Sequence, residues 1–206
     1  MNLNTSYYEN FYFFTNRLTN ENKKNIIKFK NLSVIYINNE LTENYEEFID
    51  ILKFCKNKKI KIYYKDDIKK ARKYNLNGVY LSGSNKKFLF LINNLNKKLN
   101  FKIIGGAHNQ NEYFFKKKQM CEDVFFSPLF KNEKYNQSQI LNICKFNLMS
   151  KEWRCNLFAL GGVNSSNLKK VSMTKSQGAG FISFMSDFKI KKPVYFFKNR
   201  RALNKI

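Results

Sequence analysis

The stretch Phe101-Lys102-Ile103-Ile104-Gly105-Gly106-Ala107-His108-Asn109-Gln110-Asn111-Glu112 holds a complete strand-to-helix unit. Phe101 to Ile104 is a short, mostly apolar run of the kind that forms a buried strand. Asn109 followed by Glu112 has the spacing of a capping box, with Asn in place of Ser or Thr, so a helix starts directly after that strand. Outward from this unit the same pattern recurs. Apolar and β-branched runs stand at Phe11 to Thr15, Leu32 to Ile37, Ile60 to Tyr64, Val79 to Leu81, Val124 to Phe126, Leu157 to Leu160 and Gly180 to Phe184. With Phe101 to Ile104 they make eight strand candidates, most of them apolar on both faces, as parallel strands covered by helices require.

Helical stripes fill the gaps. From Thr42 to Cys55, the residues Tyr45, Phe48, Ile49, Leu52 and Cys55 recur at the spacing of one helix face. Asp66 and Asp67 can cap a helix carrying Ile68, Ala71 and Tyr74, and Phe88, Leu91, Ile92, Leu95 and Leu99 form another stripe. Asn164, Ser165 and Ser166 open a helix containing Leu168 and Val171. Strands alternating with helices fit either an open sheet or a closed barrel. Eight strands within 206 residues favour one compact (β/α)8 TIM barrel spanning residues 1–206, with a basic C-terminal segment at 189–206.

Composition narrows the function classes. A hydrophobic fraction of 43% and an aromatic fraction of 17% exclude a disordered polymer, despite a formal charge of +23. That charge is spread along the chain, and Lys, Asn, Ile, Phe and Tyr dominate throughout, as A/T-rich codon usage would produce. With no nucleic-acid-binding module recognisable, no specific nucleic-acid partner is expected. Cys55, Cys121, Cys144 and Cys155 lack Cys-x-x-Cys spacing, and His108 is the single histidine, so neither a zinc cluster nor a disulfide framework is indicated. The polar N-terminal residues and the absence of a run of about 20 apolar residues predict a cytoplasmic protein with no membrane span.

Four segments of the second half stand in a telling order: Ile103 to Asn109, Asp123-Val124-Phe125-Phe126-Ser127-Pro128-Leu129-Phe130, Ala159-Leu160-Gly161-Gly162-Val163-Asn164, and Gly178-Ala179-Gly180-Phe181-Ile182-Ser183. In the first half, Asp66 to Ala71 and Gly78-Val79-Tyr80-Leu81 join them. This ordered set resembles the thiamine-phosphate synthase and TenI family, the last segment standing for the family's Gly-Val-His-Leu. The resemblance implies a barrel that joins a hydroxymethylpyrimidine pyrophosphate to a thiazole phosphate with Mg²⁺, releasing pyrophosphate. Phosphorylated pyrimidine and thiazole substrates are therefore the expected partners.

The site residues follow from the same resemblance. Gly161, Gly162, Ile182 and Ser183 match the phosphate-binding part, where glycines allow close backbone approach and loops after the last two strands form this fold's recurrent phosphate site. Without a ligand, the same glycines simply shape a strand-to-helix turn. His108, after the fifth strand, either transfers a proton or orients a ligand, or else caps its loop. Ser127 matches a small residue that keeps the pocket open. Asp66 matches one of two magnesium aspartates, although helix capping suits it equally. The second aspartate falls at Asn85, which supplies a neutral oxygen only.

Other departures touch the pyrophosphate machinery. The family's Gln-x-Arg-x-Lys run falls at Tyr36-Ile37-Asn38-Asn39-Glu40, which has no cation, while Lys65 takes the place of an Asn and supplies one charge. The Thr-x-Thr-Lys stretch becomes Asn132-Glu133-Lys134-Tyr135, and the catalytic histidine of TenI-like thiazole phosphate tautomerases falls at Pro128. Synthase is the first expectation. A tautomerase, or a non-catalytic barrel that binds a phosphorylated precursor, is the alternative.

Overall fold

A computed structural model of the chain describes residues 10–29, 31–38, 45–87, 101–132, 135–151, 153 and 155–182. Eight parallel strands run in chain order: β1 (Phe11–Thr15), β2 (Leu32–Tyr36), β3 (Ile62–Lys65), β4 (Gly78–Leu81), β5 (Lys102–Ala107), β6 (Asp123–Phe126), β7 (Asn156–Ala159) and β8 (Ala179–Phe181). They form a closed barrel. β8 returns to β1, setting Phe11 opposite Ala179 and Phe13 opposite Phe181, which excludes the open sheet. Among the described residues the helices are α1 (Asn20–Ile26), α2 (Tyr45–Asn57), α3 (Ile68–Lys73), α4 (Gln110–Lys118), α5 (Asn142–Ser150) and α6 (Leu168–Val171). The stripe from Phe88 to Leu99, Ser183 and the basic segment 189–206 lie outside the described residues.

Alternate strand residues serve two cores. Tyr12, Ile35, Tyr63, Ile104, Phe125 and Phe158 belong to one that fills the barrel. Tyr12 on β1 meets Phe125 on β6 edge-on at 5.1 Å, a contact possible only across the interior. Their neighbours in sequence, Phe11, Phe13, Val34, Tyr36 and Val124, face the helices. In α2 the buried residues are Phe48, Ile51, Leu52 and Cys55, whereas Tyr45 is exposed; the apolar face is turned from the expected stripe so that Ile51 replaces Tyr45.

At the N-terminal end, the first residues of three neighbouring strands meet. Asp123, 1% exposed, accepts hydrogen bonds from Tyr12 Oη (2.8 Å) and Asn156 Nδ2 (3.1 Å) and pairs with Lys102 Nζ at 2.6 Å. A buried carboxylate is retained at low cost only when paired and bonded in this way. The cysteines are free; burial pushes the Cys55 and Cys121 thiols up to about 12, so both stay protonated near neutrality. Among the described residues no helix is long and apolar enough to cross a membrane.

Two local expectations are corrected. β5 does not stop near Ile104 but runs on through Gly105 and Gly106 to Ala107. A Cβ at Gly105 would lie 2.9 Å from both Cys121 Sγ and Lys116 Cδ, and one at Gly106 would collide with the Tyr80 hydroxyl. These glycines are therefore strand residues kept small from both sides rather than a loop. Asp67, and not Asp66, caps α3 by accepting from the Lys70 amide at 2.8 Å, which frees Asp66 for another role.

Candidate functional site

Parallel strands deliver their C-terminal ends to one face, so Lys65 and Asp66, His108, Ser127, the Gly161–Gly162 turn and Ile182 all rise from the same end of the barrel. Beneath them the interior is closed by rings. Phe14 meets Tyr80 and Phe125 edge-on, each at 5.1 Å, and burial together with the nearby Asp66 carboxylate pushes the pKa of the Tyr80 hydroxyl up, so it stays protonated. Tyr80 stands where the resemblance places a histidine. The floor of the mouth is thus apolar and aromatic.

Asp66 sits at φ 57 after β3, a backbone turn that aims its carboxylate at the loop following β4. One oxygen, Oδ1, accepts from the Ser82 amide and from Asn85 Nδ2, both at 2.8 Å. Asn85 Oδ1 in turn accepts from the Lys87 amide at 3.1 Å. Asp66 and Asn85 are therefore adjacent, as the resemblance implies, but as acceptor and donor. Magnesium takes hard oxygen ligands in near-octahedral array. Here the amide of Asn85 offers nitrogen to Asp66 and turns its oxygen to the backbone, so the pair does not fit a two-oxygen metal site. Among the described residues no group of three His, Cys, Asp or Glu gathers elsewhere for a metal. Lys65 is half-buried at the end of β3, where its backbone lies opposite Tyr80.

The β4 loop is fastened from behind by α4. Lys116, fully buried, donates from Nζ to the Asn85 carbonyl (2.7 Å) and to Gln119 Oε1 (2.9 Å). Gln119 Nε2 donates to the carbonyls of Asn85 (3.1 Å) and Lys87 (2.8 Å). Burial lowers the pKa of Lys116. Neither residue carried any sequence mark of this role, because a lysine and a glutamine on a helix ordinarily read as its solvent face.

His108 is not a loop cap. Asn109 caps α4 by accepting from the Glu112 amide at 2.9 Å, and the Glu112 carboxylate reaches back to His108: Oε2 accepts from its backbone amide (2.8 Å) and lies 2.9 Å from Nδ1. On the other side of the ring, Nε2 is 3.2 Å from Tyr135 Oη. His108, Asn109 and Tyr135 border a cavity of about 310 Å³ between α4 and α5, which Gln139, Leu141, Lys145 and Met149 also line. Glu112 was legible as a capping partner only, although its i+4 spacing from the single histidine is the signal that could have found it. Tyr135, 27 positions away, had none.

Gly161 and Gly162 turn the chain at φ 85 and 69, a region glycine adopts readily. Gly162 donates no side chain to the mouth but passes its carbonyl to Asn167 Nδ2 at 2.7 Å, and Asn164 Oδ1 gathers the amides of Ser166 (3.0 Å) and Asn167 (3.2 Å) ahead of α6. A Cβ on Gly161 would lie 2.8 Å from Pro128 Cα, and one on Gly162 2.7 Å from the Lys131 carbonyl. The turn is therefore packed beneath the β6 loop, with Pro128 between it and the His108 cavity. Ser127 is buried, its amide bonded to the Ala107 carbonyl at 3.1 Å, and Ile182 is 52% exposed.

Comparison with known proteins places this geometry. Among solved structures, the chain is similar to a thiamine phosphate pyrophosphorylase from Pyrococcus furiosus, with TM-score 0.65 and 15% identity over 86% of this chain and 87% of that one. It is similar to a thiamine phosphate pyrophosphorylase from Bacteroides thetaiotaomicron, with TM-score 0.54 and 16% identity over 90% and 89%. An aldolase, YdjI from Escherichia coli K12, is also similar, with TM-score 0.59 and 10% identity over 85% and 76%. At such identities these likenesses establish the fold alone. No curated protein sequence matches the chain at a significant level. The family model for thiamine monophosphate synthase, however, matches residues 26–188, from α1 past the end of β8, and by that match the chain belongs to the thiamine monophosphate synthase family.

Proposed function

We propose that this chain binds a phosphorylated thiazole precursor of thiamine and acts on it without the magnesium-bound pyrophosphate of the condensation reaction. The observation that carries this reading is the Asp66–Asn85 hydrogen bond, in which one carboxylate oxygen accepts from Ser82 and from Asn85 while the Asn85 oxygen accepts from Lys87. Two oxygens that would face a metal in a pair of aspartates are here replaced by one internal hydrogen bond. Lys65 precedes Asp66 directly, whereas the Lys116 ammonium behind the loop is already committed to the Asn85 carbonyl and to Gln119, and a pyrophosphate needs more than one positive partner at this depth.

The thiazole half of the reading draws support from the Gly161–Gly162 turn at this fold's usual phosphate position, with Ile182 following the end of β8. Ser127 flanks the ring of the ligand, whereas His108 opens onto the cavity on the other side of Pro128. A second reading, condensation of hydroxymethylpyrimidine pyrophosphate with thiazole phosphate to thiamine phosphate, draws on family membership.

Calorimetric titration separates them. Thiazole phosphate is expected to bind with an affinity that Mg²⁺ leaves unchanged, and hydroxymethylpyrimidine pyrophosphate to bind poorly with or without the metal. Magnesium-dependent formation of thiamine phosphate would establish the second reading, and failure of thiazole phosphate to bind would remove the first.

A further inference from the structure

We propose that Glu112, His108 and Tyr135 form a proton relay serving the cavity between α4 and α5, and that its ligand is a small anion with an apolar ring and an acidic C–H. This goes beyond thiazole phosphate binding and does not depend on it. The Gly161–Gly162 turn lies on the far side of Pro128 from this cavity.

The hydrogen bonds settle the direction of the relay. Glu112 Oε2 accepts from the His108 amide and lies 2.9 Å from Nδ1, and an ionised carboxylate can only accept. Nδ1 therefore carries the ring proton. Nε2 is left as an acceptor, and the Tyr135 hydroxyl 3.2 Å away donates to it. This is the order of an orienting acid, a base and a terminal hydroxyl. The backbone of Gly83 closes over the first link, since a Cβ there would lie 2.8 Å from Nδ1. Side-chain exposures of 40% for His108 and 25% for Glu112 leave the ring accessible while its anchor is partly shielded.

The cavity sets the ligand class. Its volume of about 310 Å³ lies at the lower end of small-molecule pockets, roughly 300–1,000 Å³. Leu141 and Met149 give it an apolar wall, Gln139 polar contacts and Lys145 a cation. Among the described residues Lys145 makes no ion pair. In the step proposed, the ligand C–H proton passes to the Tyr135 oxygen as the Tyr135 proton moves to Nε2. An enolate and an imidazolium result, the latter held by Glu112. Return of the proton to carbon or to oxygen completes an exchange or an isomerisation, and no electron or co-reactant is consumed.

Phenylpyruvate in D₂O is the probe, its benzylic C–H exchange followed by proton NMR. Exchange is expected to exceed the buffer rate at least tenfold, to be lost in His108→Gln and Tyr135→Phe, and to need a several-fold higher concentration for half-saturation in Lys145→Ala. These side chains lie at the surface, and the unfolding midpoint reported by Trp153 fluorescence checks that each variant folds. Because His108 is the single histidine, ¹⁵N-histidine labelling reads its tautomer directly. Glu112 acts by positioning, so Glu112→Gln should abolish the preference for Nδ1–H. Exchange at the buffer rate, exchange unaffected by His108→Gln, or a wild-type ring protonated on Nε2 would each overturn the proposal.

Discussion

Gly106→Ala tests whether the glycines of β5 are set by the closed mouth of the barrel. The added Cβ would fall well inside contact distance of the Tyr80 oxygen, with Cζ at 3.0 Å and Cε2 at 3.4 Å. The ring cannot retreat, because it is wedged edge-on against Phe14 at 5.1 Å and Phe125 at 6.1 Å. Overpacking of this kind costs about 1–3 kcal/mol, of which the loss of unfolded-state freedom at an Ala returns about 0.4–1. The expected net loss is about 1–2 kcal/mol, a fall of roughly 2–6 °C in Tm for a chain of this size. Tyr80→Phe removes the offending atom, and the next, at 3.0 Å, needs only a few tenths of an ångström. The double variant should therefore recover at least about 1 kcal/mol of coupling. Gly105→Ala is the control: its neighbours are Cys121 Sγ and the Lys116 methylenes, so Tyr80→Phe should not relieve it. Urea unfolding followed by Trp153 fluorescence measures the three single variants and the two double variants. Strict additivity of Gly106→Ala and Tyr80→Phe would refute the reasoning.

Lys102→Met strips the buried Asp123 of its cation while Tyr12 and Asn156 remain, so a loss of about 2–4 kcal/mol is expected in urea unfolding, with a smaller loss when Asp123→Asn is added. Stability should fall as pH rises above about 8.5: the buried Cys55 and Cys121 hold their protons to about 12, whereas an unfolded thiol releases them, at most about 1.4 kcal/mol per pH unit for each. The lowered pKa of Lys116 acts in the opposite sense over part of that range, so a Lys116→Met variant should show the steeper decline between pH 8 and 10. Binding to duplex DNA, measured by fluorescence anisotropy, should be weak, indifferent to sequence and lost at moderate salt, because a dispersed charge gains only by counterion release.

What the sequence determined by itself was whatever depends on neighbours within a turn or two. The eight strands, the Asn109 cap on α4 and the turn built around Asn164 were legible because period, capping and turn chemistry are local. Closure of the barrel followed from counting strands against length. Errors arose where one local rule admitted two answers: Asp66 and Asp67 are equally good caps on paper, and Gly-Gly after an apolar run reads as a loop. Only the tertiary structure decided these, since the Tyr80 ring and Lys116 reach Gly106 and Gly105 from other elements. The same limit governed the site. Adjacent placement of Asp66 and Asn85 was expected from the family pattern, but the sense of their hydrogen bond was set by a loop that Lys116 holds across 31 positions. His108 was visible as the single imidazole; its partners were not, because Tyr135 arrives from the β6 loop and the cavity exists only between packed helices. A hydrogen bond's direction and a pocket's walls belong to groups far apart in the chain, and folding alone brings them within reach.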